Sequence, residues 1–158
     1  MKPHTSQKPR AAKSVLFVCT GNICRSPTAE AVLRAHAARA GLEIAVASRG
    51  TQGYHAGEPP DPRAQRHARK RGYDMSGLRS TRIMDGDFEA FDLILACDRG
   101  HYETLLERAP AHAHDRIAMF RADGGDIPDP YYDGEDAFES VLDVVEAECA
   151  RLVAALRA

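Results

Sequence analysis

The strongest constraint on the fold is a repeated alternation of short apolar runs with helical patterns. The apolar runs, each typical of a strand, are Ser14–Cys19, Ile44–Ser48, Phe91–Cys97 and Ile117–Phe120. Helical patterns lie between and after them, at Pro27–Ala40, Asp61–Arg71, Arg99–Arg108 and in the last part of the chain. The alternation predicts an α/β domain with an open, mostly parallel sheet.

Two of the helix predictions are specific enough to be checked residue by residue. The first helix has Pro27 at its first position, Ser26 as its predicted N-cap and Gly41 as its stop. The last helix carries one apolar stripe, formed by Phe138, Val141, Leu142, Val145, Cys149, Leu152 and Leu156. Ligands of parallel sheets bind beyond the carboxyl ends of the strands, so a site is expected where the first strand ends, at Cys19.

Length and composition exclude several classes of protein. By size the 158 residues make one domain, long enough to bury a core. With 21 basic and 23 acidic residues the formal charge is −2, which does not favour a nucleic-acid binder. Four cysteines are too few for a disulfide-built domain, and no apolar run is long enough to span a membrane.

The amino-terminal residues differ from the rest of the chain. Residues 1–13 hold four basic and no acidic side chains, and they lack the apolar stretch of a secretory signal. We interpret them as a disordered basic tail that precedes a domain at residues 14–158. The expected location is cytoplasmic, where thiols stay reduced and each cysteine needs its own explanation.

Charge is unevenly distributed along the domain. Residues 61–82 hold seven basic and two acidic side chains, whereas residues 123–148 hold ten acidic and no basic ones. Such blocks are usually solvated helix faces, and a second interpretation is that the basic block steers an acidic phosphopeptide. The seven histidines are scattered and are assigned no role, and the cysteine and histidine spacing predicts no metal site.

The segment Val18–Pro27, with the sequence VCTGNICRSP, has the properties of an anion-binding loop. It joins a buried strand to a helix N-terminus, where backbone N–H groups and the helix dipole attract negative charge. Gly21 and Asn22 tolerate the left-handed backbone that a tight curl needs, and Arg25 can donate to two oxygens of a phosphate. Cys19 lies at the loop base, where these groups favour a thiolate able to attack phosphorus.

Hydrolysis of a phosphate ester also needs a proton for the leaving oxygen, and Ile127–Tyr132 (IPDPYY) is the candidate loop for this step. Asp129 lies between two prolines, which stiffen the backbone and direct the carboxyl group. The two tyrosines that follow can wall a slot for a phenyl ring. The residues alone leave open a rigid surface turn whose tyrosines pack on the core.

Together, the phosphate loop and the Asp-Pro-Tyr-Tyr segment resemble the low molecular weight protein tyrosine phosphatases. The resemblance extends from Ser14 to the last helix. It implies a single three-layer domain of flavodoxin-like type, with a four-stranded parallel sheet and helices on both faces. It also implies a protein-tyrosine phosphatase that works through a phosphocysteine intermediate and uses no metal and no other cofactor.

The resemblance assigns roles to residues at matching positions. The implied catalytic residues are Cys19 as nucleophile, Arg25 as phosphoryl ligand, and Asp129 as general acid and then as base towards water. The implied substrate-binding set, which includes the groups that support the loop, is Thr20, Gly21, Asn22, Ile23, Cys24, Ser26, Ser48, Tyr54, Tyr131 and Tyr132.

Some members of this set have a more specific implied role. Ser26 would hydrogen-bond the sulfur of Cys19, and Asn22 would hold the loop in shape with Ser48 as its partner. Cys24 would form a reversible disulfide with Cys19 that protects the nucleophile from over-oxidation.

Three features lie outside the matching motifs. Cys97 and Cys149 are interpreted as core residues. The chain departs from the family at Asp133–Gly134, where many relatives have Gly directly after the second Tyr, and this difference bears on how the acid loop is set.

A protein phosphoarginine phosphatase, which uses the same loop, is the main alternative. Relatives with that activity tend to carry Thr at the position of Ile23 and to lack the pair Tyr131–Tyr132, so both positions favour phosphotyrosine. Thr20 occurs in that group too, and the alternative therefore stays open.

Two further alternatives are disfavoured. A thiol-coupled arsenate reductase on this fold needs two more cysteines near the third strand, where only Cys97 is found. A non-catalytic phosphopeptide- or nucleotide-binding module needs neither Cys19 nor Asp129.

The resemblance also implies the partners. The substrate would be a phosphotyrosine-containing protein. For a bacterial source, of which the Arg- and Ala-rich composition is typical, a tyrosine kinase would be one such partner. A monomer or a weak homo-oligomer is expected, with no nucleic acid bound.

Overall fold

The computed structural model describes residues 12–157, within which four parallel strands form one sheet. The strands are β1 (Ser14–Cys19), β2 (Ala45–Gly50), β3 (Leu93–Ala96) and β4 (Ile117–Met119), in the order β2-β1-β3-β4. The predicted four-stranded parallel sheet is confirmed: β1 has the predicted bounds, and the ends of the other strands differ from the prediction by at most two residues. The predicted tail, residues 1–13, lies outside the described residues except for its last two, of which Lys13 donates its backbone N–H to Asp92.

Helices cover both faces of this sheet. They are α1 (Arg25–Arg39), α2 (Pro62–Lys70), α3 (Asp87–Ala90), α4 (Arg99–Arg108) and α5 (Glu135–Arg157), with a 3₁₀ helix at Ala111–Arg116. The short α3 and the 3₁₀ helix are not predicted from the sequence, because one or two turns are too few to show a periodic apolar face. Within residues 12–157, no helix combines the length and apolar character that crossing a bilayer requires.

The central strand β1 shows why its apolar run is continuous. Val15, Phe17 and Cys19 face a core shared with α1, α2 and α5. Leu16 and Val18 face a second core shared with α3 and α4. A strand covered by helices on both sides has no solvent face, so its side chains do not alternate with polar ones. The three-layer architecture is therefore confirmed.

The long helix α5 buries its predicted stripe against α1. The buried members are Phe138, Val141, Leu142, Val145, Cys149 and Leu156, while Leu152 is only partly buried and Val153 is buried beside it. Cys97, directly after β3, is buried as well. Both predicted core cysteines therefore lie in the core.

The start of α1 differs from the prediction. The helix begins at Arg25 rather than Pro27, and Cys24 rather than Ser26 occupies the N-cap position. Ser26 lies inside the first turn, with its hydroxyl 3.0 Å from the Cys19 sulfur. A Ser-Pro pair is typical of a helix start, but here tertiary contacts of the serine take the place of local capping.

Candidate active site

The loop between β1 and α1 curls around the carboxyl end of the central strand. Cys19 ends β1 and is 3% exposed, and Arg25 begins α1 and is 4% exposed. Asn22 has the left-handed conformation predicted for it, with φ of 59°. Gly21 does not; a β-carbon there would lie 2.9 Å from the His55 ring, so glycine is needed for close approach rather than for backbone freedom.

A buried hydrogen-bond network holds this loop from behind. The Asn22 amide nitrogen donates to Ser26 at 2.8 Å and to Ser48 at 2.9 Å, and its oxygen accepts the backbone N–H of Thr81. Ser48 in turn donates to the Glu30 carboxylate at 2.7 Å. Because both polar atoms of the Asn22 side chain are engaged, its left-handed backbone is held in place by the surrounding structure.

The network also restricts the hydrogen of the Ser26 hydroxyl to two acceptors. Its oxygen already accepts a hydrogen from Asn22, so its own hydrogen is available to the Cys19 sulfur at 3.0 Å, with the Arg49 carbonyl at 3.3 Å as the other acceptor. A hydrogen bond donated to sulfur stabilises a thiolate relative to a thiol. The predicted contact between Ser26 and Cys19 is therefore present.

Arg25 is oriented by groups that converge from two other loops. It donates to the Asp98 carboxylate at 3.0 Å and to the Ile127 carbonyl at 3.1 Å, and its second terminal nitrogen lies 3.5 Å from Asp129. Burial by itself would lower the pKa of Arg25, but the nearby acidic groups, led by the Cys97 and Cys19 thiols, raise it above its usual value. The guanidinium is thus a fixed cation beside the nucleophile.

Asp98 and Glu30 support the site but are missed by the sequence reasoning. Asp98 lies two residues after the end of β3, and the ends of neighbouring parallel strands meet at one edge of the sheet, so its position was a usable signal. Glu30 follows Ser26 by four residues and therefore lies on the same face of α1.

His101 supports the first residue of the loop. Its Nε2 lies 2.7 Å from the Thr20 hydroxyl. Its Nδ1 lies 3.1 Å from the Asp98 carboxylate, but it makes no hydrogen bond with any group of residues 12–157. Burial lowers the pKa of His101 to about 4, so the imidazole is neutral at physiological pH. Nothing in the spacing of the histidines along the chain predicts the contact between His101 and Thr20.

The acid loop leaves the sheet after β4 and ends at α5. Ile127 is buried and donates its backbone N–H to the Cys97 carbonyl at 2.7 Å. The side chain of Asp129 is half-exposed and accepts the backbone N–H of Tyr131 at 3.1 Å. The departure from the family, Asp133–Gly134, is accommodated between a turn closed by Asp133 onto Pro130 and the first turn of α5.

A cavity of about 180 Å³ opens between the phosphate loop and the acid loop. The residues that line it are Cys19, Thr20, Gly21, Ile23, Cys24, Arg25, Tyr54, His55, Asp129, Tyr131 and Tyr132. Tyr54 and Tyr132 are 74% and 90% exposed, so they flank its mouth. His55 is the one lining residue that the sequence analysis does not name.

The remaining predicted residues, Asn22, Ser26 and Ser48, are buried outside the cavity lining. They belong to the supporting network rather than to the substrate surface. The structure thus brings all the predicted site residues together, in two layers. Within residues 12–157, no cluster of His, Cys, Asp and Glu side chains could hold a metal ion.

Cys24 lines the same cavity as Cys19, and both are free thiols. Burial, followed by the charge of Asp61, raises the pKa of Cys24 far above its usual value. Cys24 is therefore protonated at neutral pH and does not compete as a nucleophile.

Known proteins share both the sequence and the fold. A family model described as low molecular weight phosphotyrosine protein phosphatase matches residues 14–158. A low molecular weight protein-tyrosine-phosphatase of Streptomyces coelicolor is 42% identical over 153 residues, covering 90% of this chain and 93% of the relative.

Two solved structures bear on the chemistry of the site. A protein tyrosine phosphatase from Entamoeba histolytica, with Hepes in its active site, matches with a TM-score of 0.87 at 36% identity and covers 91% of this chain and 96% of that one. The YwlE arginine phosphatase matches with a TM-score of 0.85 at 26% identity, over 91% of this chain and 95% of that one. By its sequence and its fold, the chain belongs to the low molecular weight phosphotyrosine protein phosphatases.

Proposed function

We propose that this enzyme hydrolyses phosphotyrosine in proteins in two steps, with Cys19, Arg25 and Asp129 as its catalytic residues. The observation that carries the proposal is that all three line one cavity, with the sulfur at the end of β1 and the carboxylate on the acid loop. Nucleophile, anion ligand and proton donor are the groups that phosphoryl transfer through an enzyme intermediate needs.

In the first step the Cys19 thiolate attacks phosphorus and the bond from phosphorus to the tyrosine oxygen breaks. Asp129 gives its proton to the leaving oxygen, so tyrosine departs as a neutral phenol. Arg25 and the backbone N–H groups of the loop bind the three phosphoryl oxygens in the transition state. The carboxylate of Asp98 and the carbonyl of Ile127 keep the guanidinium in place for this contact.

In the second step water attacks the phosphorus of phosphocysteine. Asp129, now ionised, takes a proton from the water, and the bond from sulfur to phosphorus breaks. The Ser26 hydroxyl, 3.0 Å from the sulfur, stabilises the thiolate as it leaves. Inorganic phosphate is released and the enzyme returns to its starting state.

The cavity walls support an aromatic substrate over phosphoarginine. Ile23 places an apolar side chain in the lining, and Tyr131 packs edge-on against Tyr132 with ring centroids 4.8 Å apart. Such walls suit a phenyl ring and provide no carboxylate partner for a guanidinium beyond Asp129. The arginine phosphatase remains the alternative because its fold is similar.

The physiological substrate in this proposal is a phosphotyrosine-containing protein in the cytoplasm, including a phosphorylated bacterial tyrosine kinase. A thiolate nucleophile at Cys19 needs a reducing compartment, and this requirement supports the location.

We also propose that Cys24 protects the nucleophile. A peroxide would oxidise Cys19 to a sulfenic acid. The Cys24 sulfur would then attack the Cys19 sulfur while its proton passes to the sulfenic hydroxyl, so that a disulfide forms and water leaves. After peroxide treatment, a thiol reductant should restore the wild-type enzyme. It should fail to restore Cys24→Ser, and equal recovery of both would exclude this role.

One panel of substrates tests the main proposal. Peptides containing phosphotyrosine, phosphoserine and phosphoarginine are offered to the wild-type enzyme and to Cys19→Ser. We expect turnover of phosphotyrosine alone, lost in Cys19→Ser while inorganic phosphate still binds. Preference for phosphoarginine would favour the alternative, and turnover by Cys19→Ser would overturn the assignment of the nucleophile.

A further inference from the structure

The basic and acidic blocks of the sequence meet in the fold. Side chains of α2 and of the residue after it face the first half of α5, and we call this contact the charged seam. Its pairs are Arg66 with Glu135, His67 with Glu135 and Glu139, and Arg71 with Glu139, Asp143 and Glu146. The blocks are therefore not only solvated faces, because each neutralises part of the other.

His67 is the buried centre of the charged seam, with a side chain 5% exposed. Its Nε2 lies 2.5 Å from Glu135 and its Nδ1 contacts Glu139. Hydrogen bonds led by Arg66 lower the pKa of Glu135, and others led by Arg71 lower that of Glu139. Both carboxylates are thus ionised acceptors, and one of them lies against each nitrogen of the His67 ring.

The ring of His67 is also fixed in its plane. It stacks on Phe138 of α5 with an interplanar angle of 10° and ring centroids 5.8 Å apart. Two hydrogen bonds in that plane and a stacked ring leave α5 little freedom to slide or rotate against α2. Apolar contact alone would specify this register less sharply.

The register matters because α5 begins where the acid loop ends. Glu135 is the first residue of α5, six positions after Asp129. The same face of α2 holds the middle of the loop, since Arg63 donates to the Tyr131 carbonyl at 2.9 Å and lies over the Phe138 ring at 4.7 Å. The far end is held by Ile127, whose N–H bonds the Cys97 carbonyl. The half-exposed Asp129 therefore depends on anchors at both ends of the loop.

We propose that His67 is a positioning residue for the reaction: through its contacts with Glu135 and Glu139 it locks α5 to α2, and so it holds Asp129 at the place in the cavity wall that proton transfer needs. The inference rests on the proposed role of Asp129 as general acid. His67 touches neither substrate nor reacting atoms, so its effect is confined to the step that uses Asp129.

Leaving-group dependence separates this role from general loss of structure. Phenyl phosphate has a poor leaving group that needs a proton, whereas 2,4-dinitrophenyl phosphate has a good one that does not. For His67→Gln we expect kcat/KM to fall about tenfold with phenyl phosphate and less than about twofold with the dinitrophenyl ester. An equal loss with both esters, or no loss with either, would overturn the proposal.

A double-mutant cycle ties the effect to Asp129. When His67→Gln is added to Asp129→Asn, it should cause no further loss that is selective for phenyl phosphate. The reason is that the acid which His67 positions is already gone. A selective loss that persists in this background would show that His67 acts elsewhere. If Asp129→Asn itself shows no leaving-group dependence, the proposed function of Asp129 fails. If the loss in Asp129→Asn depends on the leaving group and the loss in His67→Gln does not, only the positioning role of His67 fails.

Two more variants complete the experiment. Arg66→Gln cuts the exposed partner of Glu135 and carries the test if His67→Gln does not fold; its loss should be selective in the same direction but smaller. The matched control is His112→Gln, an exposed histidine paired with Glu89 at 2.6 Å away from the charged seam. It should leave both rates unchanged, and a selective loss in this control would contradict the proposal.

Discussion

The phosphate loop and the acid loop face each other across one cavity, but they are built differently. The phosphate loop is held by buried hydrogen bonds behind it, through Asn22 and Ser48 to Glu30. The acid loop is largely exposed and is held at its ends, by Ile127 on one side and by the charged seam on the other. An anion site needs donors fixed in advance, whereas a proton donor must also let substrate in and product out.

Two buried histidines illustrate the same difference. His101 supports the phosphate loop and is neutral, because burial lowers its pKa to about 4. His67 supports the acid loop and has a carboxylate facing each of its nitrogens, Glu139 at Nδ1 and Glu135 at Nε2. One loop therefore rests mainly on a buried hydrogen-bond network and the other on partly exposed ion pairs, which predicts different responses to mutation, pH and salt.

The largest effect should come from removing the planar donor of the phosphate loop. Arg25→Lys keeps the charge but loses the fork that binds two phosphoryl oxygens and Asp98 together. We expect kcat/KM to fall by about 10²–10³-fold. The loss should be the same for phenyl and dinitrophenyl phosphate, since the acid loop is intact. Arg39→Lys, at the other end of α1, is the control and should leave kcat/KM unchanged. A loss in Arg25→Lys that depends strongly on the leaving group would contradict the separate roles of the two loops.

A smaller effect is expected from the network behind Cys19. Ser26→Ala removes the hydrogen bond to the sulfur. A hydrogen bond to a charged group contributes about 1.5–3 kcal/mol. The kcat/KM should fall about tenfold to a hundredfold, and the acidic limb of its pH profile should move to higher pH because the thiolate is less stable. Ser14→Ala, at the start of β1, should change neither. An unmoved acidic limb in Ser26→Ala would exclude a role for the hydroxyl at the thiolate.

The neutral histidine should make stability depend on pH. The pKa of His101 falls from 6.5 to about 4 on folding, so between these values the unfolded chain binds more protons than the folded one. The free energy of unfolding therefore rises with pH across that window. The contribution of His101, at most about 3 kcal/mol, is lost as the pH falls through it.

Denaturant unfolding of the wild type and of His101→Asn measures this dependence. The free energy of unfolding of the wild type should fall more steeply from pH 6.5 to pH 4 than that of the variant. His112→Asn, at an exposed site, should retain the wild-type slope. Parallel curves for the wild type and His101→Asn would mean that His101 protonates without cost.

Salt should produce the smallest effect and act on the acid loop alone. Arg66 and Glu135 are each about half exposed, and such pairs contribute about 0.2–1 kcal/mol, which salt screens. Raising KCl to 1 M should lower the ratio of kcat/KM for phenyl over dinitrophenyl phosphate by about twofold. In Arg66→Gln the ratio should start lower and change less. A ratio that ignores salt in the wild type would count against ion pairing as the anchor.

Local patterns predicted those parts of the fold and site that lie close together in the chain. The run Ser14–Cys19, the loop residues up to Arg25 and the stripe of α5 occupy the predicted places. The failures are local features that tertiary contacts changed. Ser26 caps no helix because Cys19 and Asn22 engage its hydroxyl, and Gly21 is small because His55 lies against it.

The sequence by itself determined most helices and strands, the phosphate loop and the candidate general acid. Each of these occupies a short segment whose backbone conformation and chemistry depend on residues near in the chain. Only the tertiary structure decided what holds them. Asp98 reaches Arg25 across 73 positions, and His67 reaches Glu139 across 72. Contacts between residues so far apart in the chain depend on how strands and helices pack. Local periodicity in the sequence therefore does not predict them.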